Sequence, residues 1–251
     1  MQYKKLLKKL NLLYFLNTIY GLYSWLVLTF VFLILLVLLI ILPYKKIRRK
    51  LTSLAARVFL FLSGTSIDFI SKHRLPDEQC VVVANHSSYL DGIILKAILP
   101  AKFTFLIKAE MSEVPLIGLM LKLIGSEFVK RENSLEKNRT MRHLFKSANS
   151  GDSLAVFPEG TFSQQPGLKR FHSGAFAAAK KANIPVIPVV IIGARKKLSS
   201  GMWLPIMGNI SINICDPIKA AEFEKTKDIL NISRKLMLNI LDEPDLGKNN
   251  E

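Results

Sequence analysis

A long apolar segment near the N-terminus limits what this chain can fold into. Residues 25–42 read WLVLTFVFLILLVLLIIL, and no charged side chain occurs between Lys9 and Lys45. At about 1.5 Å per residue, a helix of this length crosses most of a bilayer core of roughly 30 Å. A soluble helix is rarely apolar on all sides, so a buried core helix is the weaker alternative. A signal peptide fits less well, because Pro43 and a basic cluster follow the run where a small-residue cleavage site is expected.

Basic residues flank this apolar segment on both sides. Residues 1–50 contain nine of the 35 Lys and Arg side chains and no Asp or Glu. More than half of the formal net charge of +16 therefore belongs to the first fifth of the chain. This distribution favours contact with an anionic membrane surface, since a nucleic-acid binder is expected to spread its charge over a folded face.

Residues 1–50 are therefore predicted to be a membrane anchor, in which a basic amphipathic helix precedes an apolar helix. A single span would carry four lysines across the membrane. A re-entrant hairpin that turns near Tyr20 and Gly21 would keep both basic ends on the cytoplasmic face, in line with the positive-inside tendency. We favour the re-entrant arrangement, with the single span as the alternative.

The remaining sequence predicts one α/β domain over residues 77–243. Short apolar runs rich in β-branched residues alternate with helical patterns, which indicates a mixed sheet flanked by helices. Strands are expected at 80–84, 103–107, 127–129, 154–157, 186–192 and 210–214. Helices are expected at 90–98, 116–124, 135–148, 175–182 and 228–241. Residues 51–76 are interpreted as a connecting helix and residues 244–251 as a flexible tail.

The sequence NHSSYLD follows the first strand of this domain. It places His86 at the end of a strand and Asp91 five positions later, so that the two side chains can meet across one helical turn. If the carboxylate accepts a hydrogen bond from one ring nitrogen, the other nitrogen is available as a base. The motif carries no nucleophile of its own, so an attacking oxygen would come from a substrate. The alternative is that His86 only caps or solvates a loop.

A second polar turn, FPEGT, follows a later strand. Pro158 ends the strand, and Gly160 allows the backbone to approach a ligand closely. The turn also supplies the Glu159 carboxylate and the Thr161 hydroxyl. Without the histidine motif, these residues would be read as an ordinary turn.

Taken together, NHSSYLD and FPEGT resemble the glycerolipid acyltransferase family, typified by 1-acylglycerol-3-phosphate acyltransferases. Two further blocks agree in order and spacing: residues 108–131, which begin with KAE and end with FVKR, and IPVIPV at residues 184–189. The resemblance covers about residues 81–194. It implies an enzyme that moves a fatty acyl chain from acyl-CoA or acyl-ACP to the free hydroxyl of a lysophospholipid, with 1-acylglycerol 3-phosphate as the first choice.

The resemblance also implies roles for particular residues. His86 would be the general base, and Asp91 would orient it. The substrate-binding residues would be Asn85, Lys108, Arg131, Glu159, Gly160, Thr161, Lys169 and Arg170. Within that set, the Gly160 amide is a candidate donor to the developing oxyanion, and Lys108 and Arg131 are candidate phosphate ligands.

One position departs from the family pattern. Phe162 stands where the family commonly has an arginine that is a presumed phosphate ligand, and Lys169 or Arg170 could substitute for it. The departure leaves room for a less anionic lysolipid as the acceptor, and glycerol 3-phosphate is a separate alternative. It is equally consistent with a packing role for Phe162.

The expected partners are the lipid bilayer, a lysophospholipid acceptor and an acyl-CoA or acyl carrier protein donor, with the catalytic domain on the cytoplasmic face. No resident cofactor and no nucleic acid are expected, and two cysteines cannot make a four-ligand zinc site. The basic cluster at residues 195–197 is interpreted as a solvated loop, with phosphate binding as the alternative. The competing function is a non-catalytic, membrane-anchored module that binds anionic lipid or nucleic acid.

Overall fold

The computed structural model describes residues 2–129 and 151–247. The α-helices in these ranges are α1 (Gln2–Ile41), α2 (Lys45–Leu62), α3 (Asp91–Ile98), α4 (Ile117–Leu123), α5 (Gly174–Ala182), α6 (Ala194–Leu198) and α7 (Thr226–Leu238). The strands are β1 (Ile67–Ile70), β2 (Val81–Ala84), β3 (Phe103–Lys108), β4 (Glu127–Val129), β5 (Ser153–Val156), β6 (Val186–Ile192) and β7 (Ile210–Ile214). The helix predicted at 135–148 lies outside the described residues.

The strands form a mixed sheet in the order β1-β7-β6-β2-β5-β3-β4. Strands β6, β2, β5, β3 and β4 are parallel to their neighbours in this row, whereas β7 is antiparallel to β6 and parallel to β1. The prediction of a mixed α/β sheet flanked by helices is therefore confirmed. Because β2, β5 and β3 point the same way, the turns that follow them meet at one edge of the sheet. These turns carry the candidate site residues.

Helices cover both faces of the sheet. Successive residues of β2 alternate between two cores: Val82 belongs to the core that includes α2 and α3, and Val83 to the core that includes α5 and α7. This alternation follows from the period of two in an extended strand. Every residue of β2 is buried, as expected for a central strand with helices on both faces.

Helix α1 runs without interruption through the point where a turn was predicted. It spans 40 residues, or about 60 Å at the usual helical rise. A Cβ atom added at Gly21 would lie only 2.6 Å from the Cβ of Leu204. The glycine therefore serves a close helix–loop contact, and the hairpin turn predicted near Tyr20 and Gly21 is wrong.

One side of α1 packs on the domain, and the rest is exposed. Val27, Leu35 and Leu39 are buried against the domain core, whereas Leu26 and Phe30 are more than 60% exposed. Within the 31-residue segment Asn11–Ile41, the most apolar window of 18 residues has a mean hydropathy of 3.1, and 28% of that window is buried. It is the one helix in the described ranges whose length and apolar composition suit a membrane span.

Two boundaries differ from those expected from the sequence. Residues 51–76 are not only a connecting helix, because β1 pairs with β7 and forms an edge of the sheet. A four-residue strand with alternating burial gives little local signal, so only its distant partner identifies it. The tail was predicted to be flexible from residue 244, but its first residues are ordered. The Leu168 amide donates to the Pro244 carbonyl, and the Leu246 amide donates to the Leu168 carbonyl.

Candidate active site

The two residues of the histidine motif meet as their spacing predicts. His86 follows β2, and Asp91 is the first residue of α3. The His86 Nδ1 atom lies 2.9 Å from Asp91 Oδ2, which confirms the predicted contact. The Asp91 side chain is fully buried, whereas 18% of the His86 side chain is exposed. Because a carboxylate can only accept, Nδ1 carries the hydrogen, and Nε2 has the lone pair that can take a proton.

The backbone before α3 fixes the Asp91 carboxylate. Asp91 Oδ2 also accepts hydrogen bonds from the Ser87 amide at 2.6 Å and the Ser88 amide at 2.8 Å. Three donors thus converge on one buried oxygen, which fixes the position of the carboxylate beside the imidazole. The Ser88 hydroxyl donates to the Leu198 carbonyl at 2.7 Å, which joins this turn to the end of α6.

Glu159 lies in the turn after β5 and connects the two motifs. Its Oε1 accepts from the His86 amide at 2.6 Å, and its Oε2 accepts from the Lys169 amide at 2.8 Å. Burial raises the pKa of this carboxyl to about 7, while the two amide donors act in the opposite direction. The substrate-binding role that the resemblance implies for Glu159 does not fit this geometry, because the residue is 5% exposed and both oxygens accept from backbone amides. Glu159 fixes the position of the His86 backbone instead.

Aromatic rings enclose the His86 imidazole. Phe157 stacks on it with ring centroids 4.2 Å apart and an interplanar angle of 16°. Phe162 lies 4.4 Å away with a tilted ring, and Tyr89 meets the edge of Phe162 at 4.9 Å. Tyr89 is exposed, so these rings form an apolar wall at the mouth of the site. Sequence reasoning missed the roles of Phe157 and Tyr89 in the site, because aromatic residues are common at strand ends and in loops.

Asn85 has a structural role rather than the substrate-binding role implied by the resemblance. Its Nδ2 donates to the Ile191 carbonyl at 2.9 Å, and its Oδ1 accepts from the Ile191 amide at 2.7 Å. The side chain is buried, and both ends of its amide are engaged by β6. Asn85 therefore ties the end of β2 to β6 and stabilises the backbone that presents His86.

The turn that contains Gly160 and Thr161 also differs from the expectation. The Gly160 amide donates to the Phe157 carbonyl at 3.0 Å, and Gly160 has a φ of +77°. The amide is thus used in closing a tight turn, and an oxyanion-donor role does not fit this geometry. Thr161 is exposed next to Phe162, so its hydroxyl remains accessible from solvent.

The candidate phosphate ligands lie on different parts of the sheet edge. Lys108 ends β3 and is exposed, with its Nζ 2.8 Å from Glu110 Oε1. The backbone amide of Lys169 donates to Glu159, and the next residue, Arg170, is exposed. Arg131 lies outside the described residues.

The basic cluster at residues 195–197 is not a solvated loop. It lies in α6, where Arg195 forms a bidentate ion pair with Glu243. The Nε–Oε1 and Nη2–Oε2 distances are both 2.9 Å. Lys197 is 3% exposed and donates to the Tyr20 hydroxyl at 2.6 Å and to the Gly208 carbonyl at 3.1 Å. The sequence interpretation was wrong because these partners are distant in the chain.

Comparison with known proteins agrees with the site. Residues 66–192, just over half of the chain, match a family model described as Acyltransferase. The chain belongs to the acyltransferase family. This finding confirms the resemblance that the sequence motifs indicate. The family segment runs from the residue before β1 to the end of β6 and therefore contains the whole His86–Asp91 and Glu159 arrangement.

Individual relatives in the family carry related names. The chain is 29% identical over 160 residues to a 1-acyl-sn-glycerol-3-phosphate acyltransferase of Haemophilus influenzae, which covers 61% of this chain and 66% of that protein. It is 29% identical over 217 residues to a probable 1-acyl-sn-glycerol-3-phosphate acyltransferase of Mycoplasma genitalium, covering 83% of this chain and 77% of the relative. Over the first three relatives, the matched segment spans 66%, 59% and 48% of their lengths.

A solved structure shares the fold. The crystal structure of the 1-acyl-sn-glycerophosphate (LPA) acyltransferase PlsC from Thermotoga maritima superposes with a TM-score of 0.76. The match covers 90% of this chain and 95% of that chain at 19% sequence identity. The similarity therefore extends beyond the family segment to the helices on either side of it.

Proposed function

We propose that this protein is a membrane-bound O-acyltransferase that acylates the free hydroxyl of a lysophospholipid. The observation that carries the proposal is the imidazole of His86, oriented by a buried Asp91 carboxylate at 2.9 Å and partly exposed beside an apolar wall. Such a pair suits proton abstraction from an alcohol, and a non-catalytic lipid-binding module has no need of it. Membership of the acyltransferase family supports the same reaction class.

The proposed reaction needs no covalent acyl-enzyme. The acceptor hydroxyl oxygen attacks the thioester carbonyl carbon while His86 Nε2 takes the hydroxyl proton. The resulting imidazolium is stabilised by the Asp91 carboxylate. The tetrahedral intermediate then collapses, the carbon–sulfur bond breaks, and the leaving thiolate takes the proton from His86. The products are the ester and the free thiol, and the histidine returns to its starting state.

The proposed acceptor is 1-acylglycerol 3-phosphate, which would give phosphatidate in phospholipid biosynthesis. The names of the relatives from Haemophilus influenzae and Mycoplasma genitalium support this choice. The exposed cations Lys108 and Arg170 near the same sheet edge suit an anionic headgroup. The proposed donor is acyl-CoA or acyl-ACP, each of which supplies the thioester that the reaction requires.

A second acceptor class is favoured by one observation. Phe162 lies 4.4 Å from the His86 ring, in the place where the resemblance leads us to expect an arginine. An aromatic ring there adds an apolar contact and no charge, which suits a less anionic lysolipid. Exchange of this residue therefore distinguishes the two acceptors: Phe162→Arg should raise kcat/KM for lysophosphatidate relative to lysophosphatidylcholine if the headgroup binds beside His86.

The membrane role follows from α1. We propose that its exposed apolar surface anchors the protein and that the domain lies on the cytoplasmic face. Support comes from the 31-residue apolar segment and from the basic residues that flank it in the sequence. An enzyme whose acceptor and product are both lipids gains from this placement, because neither has to leave the bilayer.

The decisive experiment is an acceptor panel with purified protein in lipid vesicles. Labelled acyl-CoA is offered with lysophosphatidate, glycerol 3-phosphate or lysophosphatidylcholine, and ester formation is measured. His86→Ala should lower transfer by roughly 10²–10⁴-fold, the usual contribution of a general base. The matched control is His73→Ala, because His73 is exposed in a short 3-10 helix away from the site. Equal turnover by the two variants would overturn the assignment, as would vesicle binding without transfer to any acceptor.

A further inference from the structure

The loop between α6 and β7 lies directly on the N-terminal helix. Trp25 Nε1 donates to the Trp203 carbonyl at 2.7 Å, and Gly21 allows Leu204 to approach the helix backbone. Asn17 Oδ1 lies 3.4 Å from the Met207 amide. Residues 17, 21 and 25 are spaced by four and form one stripe of the helix. The loop, residues 199–209, therefore packs along one face of α1.

A buried cation strengthens this attachment. Lys197 Nζ donates both to the Tyr20 hydroxyl of α1 and to the Gly208 carbonyl of the loop. It also lies over the Tyr20 ring, 4.8 Å from the centroid. Because this lysine is buried, the contact is shielded from water and costs more to break than a surface pair. Lys197 therefore links the loop to the helix through a buried contact.

The outer side of the loop is apolar and uncharged. Trp203 is 88% exposed and Met207 is 55% exposed, although large apolar side chains are normally buried. The sequence of residues 199–209, SSGMWLPIMGN, contains no charged side chain. The adjacent outer surface of α1 is also apolar, with Leu22 at 60% and Leu26 at 68% exposure. The loop therefore extends the exposed apolar surface of the helix onto the acyltransferase domain.

The chemistry of this surface fits a lipid bilayer better than another protein. Tryptophan is enriched where membrane meets water, because its ring is apolar and its N–H is polar. The sequence places lysines at positions 4, 5, 8 and 9 in the first turns of α1, which suits anionic headgroups. Apolar and basic groups thus occur together in the sequence of α1, as they do in helices that lie in a membrane interface.

We propose that residues 199–209 are a second membrane contact, in which Trp203 and Met207 insert into the headgroup region of an anionic bilayer beside α1. The inference rests on the membrane attachment proposed above and adds a site in the acyltransferase domain itself. It has a consequence for the active site, since the loop begins after Leu198, whose carbonyl accepts from Ser88 in the histidine motif. Contact at the loop places the His86 turn close to the surface from which a lipid acceptor arrives.

The test uses the fact that the chain contains two tryptophans. Trp25→Phe leaves Trp203 as the only indole, and Trp203→Phe leaves Trp25. Each full-length variant is transferred from detergent into vesicles of phosphatidylcholine and phosphatidylglycerol that contain lipids brominated near the headgroup or near the chain ends. We expect the Trp203 emission to shift to the blue, to be quenched most by the shallow bromines, and to become several-fold less sensitive to aqueous acrylamide.

A matched control carries its tryptophan on the other layer of the domain. Ile240 is 37% exposed after α7, so Ile240→Trp in a chain without Trp25 and Trp203 should stay accessible to acrylamide and escape bromine quenching. If Trp25 is quenched by lipid and Trp203 behaves like this control, the second contact is refuted while the anchor stands. If neither native tryptophan is quenched, both the contact and the proposed anchor fail.

A second copy of the chain is the competing occupant of this surface. In detergent, self-association would protect Trp203 from acrylamide before any vesicle is added, and the protection would grow with protein concentration. Such a result would overturn the assignment to lipid. Dependence on lipid charge supplies a further check. Replacing phosphatidylglycerol by phosphatidylcholine should weaken the Trp203 signals if the flanking lysines hold this face on the bilayer, and equal signals on both vesicles would contradict the anionic surface.

Discussion

Replacing Asp91 by asparagine tests most directly the proposed role of Asp91 in orienting and charge-stabilising His86. Oδ2 of Asp91 receives the Ser87 and Ser88 amides as well as His86 Nδ1. An asparagine must place its oxygen there, because a nitrogen would face two backbone donors. The oxygen keeps the three hydrogen bonds but carries no charge, so it no longer stabilises an imidazolium. We therefore expect kcat/KM to fall by about 10²–10⁴-fold, in the range of a lost general base.

The same substitution has a cost in stability that can be estimated from the structure. The amide nitrogen takes the place of Oδ1, which is buried and has no hydrogen-bond partner among the described residues. Because Oδ1 already lacks a partner, this exchange adds little, whereas each of the three hydrogen bonds to a neutral oxygen is about 1 kcal/mol weaker than one to a charged oxygen. Together these give a loss of roughly 3 kcal/mol. For a chain of this length, that corresponds to a fall in Tm of about 10 °C.

The assay measures transfer and stability separately. Initial rates with labelled acyl-CoA and lysophosphatidate give kcat/KM at a temperature where the variant is folded, and thermal melting gives Tm. Asp68→Asn is the matched control, because Asp68 is exposed on the edge strand β1. The reasoning is refuted if folded Asp91→Asn retains kcat/KM within a few-fold of the control.

Two further predictions concern packing and pH. Gly21→Ala should lower the free energy of unfolding by about 1 kcal/mol or more, because the new Cβ would meet Leu204. Gly92→Ala should raise it by up to about 1 kcal/mol, because a Cβ at Gly92 points into open space. Equal shifts in Tm for the two variants would contradict the tight contact. The pKa of Glu159 rises from its ordinary value of 4.5 to about 7 on folding, so the folded protein keeps this proton over a pH range in which the unfolded chain loses it. The free energy of unfolding of the wild type should therefore fall by roughly 3 kcal/mol as the pH rises from 4.5 to about 7. Glu159→Gln should lose that dependence, and melts with unchanged pH slopes would count against the raised pKa.

The contact between His86 and Asp91 was predictable because it is local. Five residues separate the two side chains, and the strand-to-helix turn between them leaves few arrangements open. The apolar character of α1 was equally readable, since composition alone decides it. In both cases the physical cause lies within one short segment of sequence.

The course of α1 shows where such local reasoning fails. A glycine beside a tyrosine in an apolar run suggests a turn, yet the helix continues. Gly21 instead permits a close contact with Leu204, which is far away in sequence and leaves no room for a side chain at this position. A glycine that permits a turn and a glycine that permits close packing look the same in the sequence.

The sequence by itself determined the family, the mixed sheet, the apolar helix and the His86–Asp91 pair, because each of these can be recognised from short segments of sequence. Only the tertiary structure decided which polar groups remain available to a substrate. Asn85 and Glu159 look like binding residues in the sequence, but Ile191 and Lys169 occupy their polar atoms. Buried polar groups must find partners, and these partners came from strands and turns that only folding brings near.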